Sequence, residues 1–126
     1  MRPKPWKALQ KPESGKEYVA MLSFLPLKSF TTLPKFFLLS FETERQLQRS
    51  RGLIGYSLGA EILRRQFWTL SAWEDRTALM EFVQAVPHGE IMEALAPHMG
   101  KTKFVEWTVT AKDIPLNWKQ AKARLG

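Results

Sequence analysis

The chain has no cysteine, so disulfides, thiolate metal sites and cysteine nucleophiles are excluded by composition, and a cytoplasmic setting is the default expectation. Histidine is scarce as well. The only two, His88 and His98, have no carboxylate near them at metal-ligand spacing, so the sequence offers no zinc or iron site and the expected metal is none. No apolar run approaches the ~20 residues that span a bilayer. The basic start around Lys4, Pro5 and Lys7 is not followed by the apolar stretch and small-residue cleavage site of a signal peptide. A P-loop, a dinucleotide glycine fingerprint, a G-x-S-x-G elbow and an H-E-x-x-H pair are all missing, which removes the kinase and hydrolase readings. No internal repeat or low-complexity segment is present.

What remains is a chain of 126 residues, 44% of them hydrophobic, enough for one core and one domain. Lysine and arginine outnumber aspartate and glutamate by 19 to 12, a net charge of +7, which favours anionic surfaces or ligands. The basic residues are spread over the N-terminal arm, 45–51, 64–65 and 119–124 rather than gathered in a nucleic-acid motif, so nucleic acid is not an expected partner.

Residues 1–16, rich in proline, lysine and glycine, read as an extended arm that Trp6 tacks down. Residues 18–25 are apolar on both faces, with Val19, Met21 and Leu25 opposite Ala20, Leu22 and Phe24, and read as a buried strand. A proline-bearing connection leads to a first helix over 35–49, which Gly52 stops. A second strand over 53–62 sets Gly55, Ser57 and Gly59 on one face against Ile54, Tyr56, Leu58 and Ala60. With a tight turn at Leu63–Arg64, its antiparallel partner over 67–73 places Gly59 opposite Trp68, Ser57 opposite Leu70 and Gly55 opposite Ala72, and gathers Tyr56, Thr69, Ser71 and Trp73 on the other face.

The period then changes to that of a helix. Asp75 is placed to cap it, Leu79, Phe82, Val83 and Val86 share one face, Pro87 breaks it, and it restarts with His88, Ile91, Met92 and Leu95 on one side. Gly100 ends it. A fourth strand covers 103–111, and the tail 113–126 holds a short helix anchored by Trp118. The domain proper is therefore 17–112.

This order of elements is the ferredoxin-like βαββαβ arrangement of the α+β class, a four-stranded antiparallel sheet carrying both helices on one face. Because the strands are apolar on both sides, the second sheet face calls for a cover, and two sheets packed face to face in a homodimer, a dimeric α+β barrel, supply it.

The stretch F-W-T-L-S-A-W-E-D at 67–75, the alanine–leucine helix, Pro87–His88, Ile91–Met92 and the final Phe104–Val105–Glu106–Trp107 resemble the dimeric α+β-barrel proteins related to antibiotic-biosynthesis monooxygenases. The W-E-D strand end and the helix histidine also resemble the spheroidene monooxygenase group. The resemblance spans about 18–111 and implies the fold, with activities ranging from cofactor-free oxygenation to haem degradation and to none.

It also implies that Trp73, at its strand end, walls a ligand pocket between sheet and helices, a role set against plain core packing. Tyr56, Ser71, Phe82 and Met92 are the expected companions. His88, four residues before Met92, offers an imidazole that titrates near neutrality, so His88 and Tyr56 are the candidates for proton transfer. His98 suits a helix end better than chemistry. Haem-degrading members carry their iron-ligating histidine about one helical turn beyond His88; Met92 stands there, so the expected cofactor is none and haem is disfavoured. Phe30, Phe36, Phe37 and Phe41 read first as core, and with Lys28 and Lys35 they are the candidate contact for a membrane surface. The function expected is the binding, and monooxygenase-like oxidation, of a small apolar molecule, aromatic, quinol-like or polyene-like; a non-catalytic ligand-binding or interaction module of the same fold is the alternative.

Overall fold

A two-residue strand of the arm, β1 (Lys7–Ala8), and four long strands, β2 (Glu17–Pro26), β3 (Leu53–Glu61), β4 (Gln66–Trp73) and β5 (Lys103–Thr110), form one sheet in the order β1-β3-β4-β2-β5. Every neighbouring pair is antiparallel. The computed structural model describes residues 3–85 and 88–125, with His88 described by its backbone alone. The four long strands have the ferredoxin-like order, and the arm adds an edge strand by pairing Lys7 with Tyr56 and Ala8 with Gly55.

The β3–β4 register is the expected one, Gly59 facing Trp68, Ser57 facing Leu70 and Gly55 facing Ala72. Its turn is longer than a two-residue hairpin. Ile62–Arg64 forms a 3-10 turn that closes on Arg65 in the left-handed region (φ 55°). A non-glycine residue pays ~1–2 kcal/mol for that conformation, and here it is held by backbone pairing, Leu27 N–H donating to the Arg65 carbonyl at 2.8 Å, and by Arg65 Nε donating back to the Leu27 carbonyl at 3.2 Å. A second departure lies at the start of β3, where Leu53 faces Trp73 but Gly55 faces Ala72. The extra residue, Ile54, is a bulge. Ile54 therefore packs on the face opposite Tyr56, not beside it as strict alternation required.

The helices follow their caps. After a 3-10 turn at Phe30–Thr32, α1 spans Leu33–Arg49, with Pro34 in its first turn, where its missing N–H costs nothing. Asp75 caps α2 (Arg76–Gln84) by accepting the Ala78 N–H at 2.8 Å. Helix α3 (His88–Leu95) continues into a 3-10 turn at Ala96–His98; Val86 and Pro87, where the break was expected, lie outside the described residues. Asn117 caps α4 (Trp118–Ala123) by accepting the Gln120 N–H at 3.0 Å.

Helices α1, α2 and α3 lie on one sheet face. The other face is not bare, contrary to the premise from which sheet-to-sheet pairing was expected. Tyr18, Ala20, Leu22, Ile54, Trp68, Leu70, Ala72 and Val109 are buried there beneath Trp6 of the arm and Leu116, Trp118, Ala121 and Leu125 of the tail. Lys122 sits 4.0 Å over the Trp68 ring and the Arg124 guanidinium 4.8 Å over that of Trp107, so the tail shields both indoles with cations.

Arm and tail meet at Ser57. Its hydroxyl donates to the Lys4 carbonyl at 2.6 Å and accepts the Trp118 Nε1–H at 3.0 Å. Gly55 makes room for the arm itself: a Cβ there would lie 2.5 Å from the Trp6 indole nitrogen. The small face of β3 thus accommodates the arm and tail as well as the side chains of β4.

Candidate functional site

On the helix side the apolar side chains fall into two clusters, one at each end of β4. The first joins Leu47 of α1, Leu53, Tyr56, Trp73, and Ala78, Leu79 and Phe82 of α2. The second joins Phe36 of α1, Phe67, Leu27, and Ile91, Leu95 and Met99. Helix α3 therefore turns its apolar face to the Phe67 end of β4, about 20 Å along the strand from Trp73 by the strand rise.

Tyr56, Ser71, Trp73 and Phe82 come together as the register required. Trp73 is 1% exposed and packs on Phe82 with ring centroids 5.3 Å apart. Its indole N–H donates to Ser71 Oγ at 2.9 Å, which satisfies a buried donor inside the apolar cluster. Tyr56, 2% exposed, donates its hydroxyl proton to Glu44 Oε2 at 2.8 Å and accepts the Gln48 Nε2–H at 3.0 Å. Burial, aided by the Glu44 carboxylate and opposed by the Gln48 donor, pushes the phenol up to about 12. A tyrosine held neutral in this way donates or relays a proton and is a poor base; the carboxylate at the end of its hydrogen bond is the group that accepts one.

Met92, half-buried on α3, is not among the residues packed with Trp73. His88 opens α3, and its side chain lies outside the described residues. His98 is exposed in the 3-10 turn that follows. Among the described residues no three His, Cys, Asp or Glu side chains gather as a metal site, and no helix is long and apolar enough to cross a membrane.

A groove of about 510 Å³ lies beside the first cluster, between the C-terminal half of α1 and α2, and shares Ala78 and Phe82 with it. Its floor is Ala78, Phe82 and Ala85, and its rim carries Arg45, Arg49 and Arg51 with Glu42 and Glu81. Arg51 is engaged with Glu81 at 3.0 Å. Of the residues singled out from the sequence, Phe82 alone lines this groove, and it is also the ring against Trp73.

Glu44, Gln48 and the groove arginines were missed by the sequence reading. The four-residue spacing of Glu44 and Gln48 puts both on one face of α1, but no local signal says which strand residue they meet across the fold.

No family model matches the chain, and no curated protein matches it. Solved structures do. SnoaB, a cofactor-independent oxygenase from Streptomyces nogalater, superposes with a TM-score of 0.61 at 14% identity, covering 73% of this chain and 92% of that one. The fold is that of the antibiotic biosynthesis monooxygenases. A structure described by that name matches with a TM-score of 0.65 at 14% identity, over 71% of this chain and 95% of the other. A candidate monooxygenase from Fusobacterium nucleatum reaches a TM-score of 0.71 at 13% identity and covers 80% of this chain, which spans only 46% of it. At such identities the likeness to this monooxygenase fold is one of architecture. The likeness to the spheroidene monooxygenase group rests on the sequence alone.

Proposed function

We propose that the α1–α2 groove is the mouth of a site for a small, largely apolar molecule, aromatic, quinol-like or polyene-like, which the protein oxygenates without a cofactor. The observation that carries this reading is Phe82, which lines the groove and packs on Trp73, in a cluster whose Tyr56 is hydrogen-bonded to Glu44. Because Trp73 and Tyr56 are almost fully covered, a ligand reaches them only when Phe82 swings aside. The cluster then supplies a dry apolar wall, and exclusion of water favours an electron-rich anion of the substrate.

Tyr56 oxygen takes the substrate proton as its own passes to Glu44. The substrate anion gives its electrons to dioxygen and a carbon–oxygen bond forms. Cleavage of the oxygen–oxygen bond leaves one atom in the oxidised product and releases the other as water, so a CH₂ group, or the ring C–H of a phenol together with its hydroxyl hydrogen, gives way to C=O with no external reductant. His88, at the head of α3, is a second proton acceptor in this proposal, and Ser71, whose hydroxyl accepts the Trp73 indole N–H, belongs to the substrate wall; Met92 drops out of it, because α3 packs at the other end of β4. SnoaB, described as cofactor-independent, supports the absence of a cofactor by analogy of fold.

Oxygen uptake by the purified protein with a panel of quinols and phenols tests the proposal. Consumption matched by product formation is the expected result. Ligand binding without consumption would favour the non-catalytic module of the same fold, and a Soret band saturating at one haem per chain would replace the cofactor-free scheme.

Pairing of two copies belongs to the same proposal in altered form. Arm and tail occupy the face on which a second sheet was to rest, so a pair built there displaces or exchanges the tail. The Fusobacterium structure, about twice as long as the stretch it shares, has room for a second unit of this size. Light scattering at micromolar concentration should report a dimer, and a folded monomer would remove pairing from the proposal.

A further inference from the structure

Large apolar side chains in water are concentrated at the Phe67 end of the helix layer. Phe37, Leu38 and Phe41 stand out from the first half of α1, Phe30 from the turn before it, and Ile62 and Leu63 from the β3–β4 turn. Leu38, Phe41 and Leu63 are 63%, 62% and 89% exposed.

Contacts tie these segments to one place. Phe37 packs edge-on against Phe67 at 5.9 Å, and the Arg65 guanidinium lies 4.7 Å over the Phe30 ring. The helical spacing of residues 37, 38 and 41 makes them one stripe. Phe36, grouped with them in the sequence reading, instead lies in the core.

Basic residues border this patch on two sides, with Glu42 next to Phe41 on α1 and Glu90 and Glu93 on α3 as its acidic neighbours. Lys28 and Lys35 line a second groove, of about 340 Å³, together with Ser29, Thr31, Thr32, Pro97 and His98. None of these residues is acidic. Cations and hydroxyls in a shallow groove fit the phosphate of a lipid headgroup. Arg64 and Arg65 add positive charge from the neighbouring turn, with Glu61 3.9 Å from Arg64.

We propose that this end of the domain docks on an anionic phospholipid surface, with Phe30, Leu38, Phe41 and Leu63 entering the acyl boundary and the Lys28–Lys35 groove holding a headgroup phosphate. Apolar groups bordered by lysine and arginine match an anionic bilayer. A second copy of the chain fits less well, because symmetric pairing through this surface sets the same cations against one another.

The test is co-sedimentation of the full chain with vesicles of phosphatidylcholine alone and with added phosphatidylglycerol, at low and high salt. Binding is expected to the anionic vesicles only, weakened by salt. Lys28→Ala and Lys35→Ala should each reduce the vesicle partition constant about five-fold, and the pair Leu38→Ser with Phe41→Ser should abolish binding. All of these positions are exposed, and unchanged melting curves would show that the variants fold. Equal binding to both vesicle types, no binding to either, or variants that bind like the parent chain would overturn the proposal. So would stabilisation by inorganic phosphate without vesicle binding, or a change of oligomeric state in the apolar variant with no effect on vesicles.

Discussion

The two faces of the sheet use buried polar groups in opposite ways. On the outer face Ser57 is a strap: both of its hydrogen bonds reach into terminal segments, one to Lys4 and one to Trp118. On the helix face the Tyr56 hydroxyl sits in a cluster of large apolar side chains, bonded to Glu44 and Gln48 of α1. The first arrangement fixes chain ends over a core, and the second sets a phenol–carboxylate hydrogen bond at the edge of an apolar cluster. A buried polar residue is informative about chemistry when its partners are themselves able to exchange protons and are open to solvent; when its partners are a carbonyl and an indole, it is informative about folding.

The largest effect should come from the helix face. Trp73→Ala removes a fully buried indole from between Ser71 and Phe82 and should cost ~3–5 kcal/mol in a urea titration. If it cost less than a surface substitution, Trp73 would not be the centre of that cluster.

Ser57→Ala comes next. It leaves the Lys4 carbonyl and the Trp118 N–H without their partner and should cost ~1–3 kcal/mol, with proteolysis of arm and tail accelerated while the groove keeps its ligand. Equal sensitivity of the groove ligand to Ser57→Ala and to changes around Tyr56 would erase the distinction between the faces.

Tyr56 makes a pH-dependent contribution. Its folded-state value of about 12 lies above the ordinary 10.0, so its stabilisation is complete below pH 10, where the phenol is protonated folded or unfolded, and is lost as pH rises through about 12. The stability advantage of the parent chain over Tyr56→Phe should shrink across that window. An advantage that grew with pH would mean that the phenol is ionised in the folded protein. The smallest effect is expected at Arg51→Ala, which breaks an exposed pair with Glu81; a change of ~0–1 kcal/mol should be found in thermal melts.

Much of the fold was legible because it is written in local period. The alternation through β2, β3 and β4, the small residues at Gly55, Ser57 and Gly59, and the Asp75 cap fix register and helix start with no long-range information. What escaped was set by tertiary pairing. The bulge at Ile54 depends on the arm, whose Leu9 and Gln10 N–H groups both bond the Ile54 carbonyl. The left-handed Arg65 depends on Leu27.

The same division holds for the site. Tyr56, Ser71 and Trp73 share a face by strand period, and Phe82 follows by helix period, whereas Glu44 and Gln48 became visible only once α1 lay across β3. The tail over Trp68 and Trp107 was hidden for a like reason: six residues of α4 with few apolar groups give no sign of which face they cover.

Oxygen consumption by folded Tyr56→Phe and folded Ser57→Ala, set against that of the parent chain on any quinol or phenol that the parent oxidises, tests the proton relay through Tyr56. Tyr56→Phe is expected to lose most of the turnover while keeping the ligand, and Ser57→Ala to turn over like the parent once its lower stability is offset by working at low temperature. Full turnover by Tyr56→Phe, or loss of turnover by Ser57→Ala alone, would rule out Tyr56 as the proton relay.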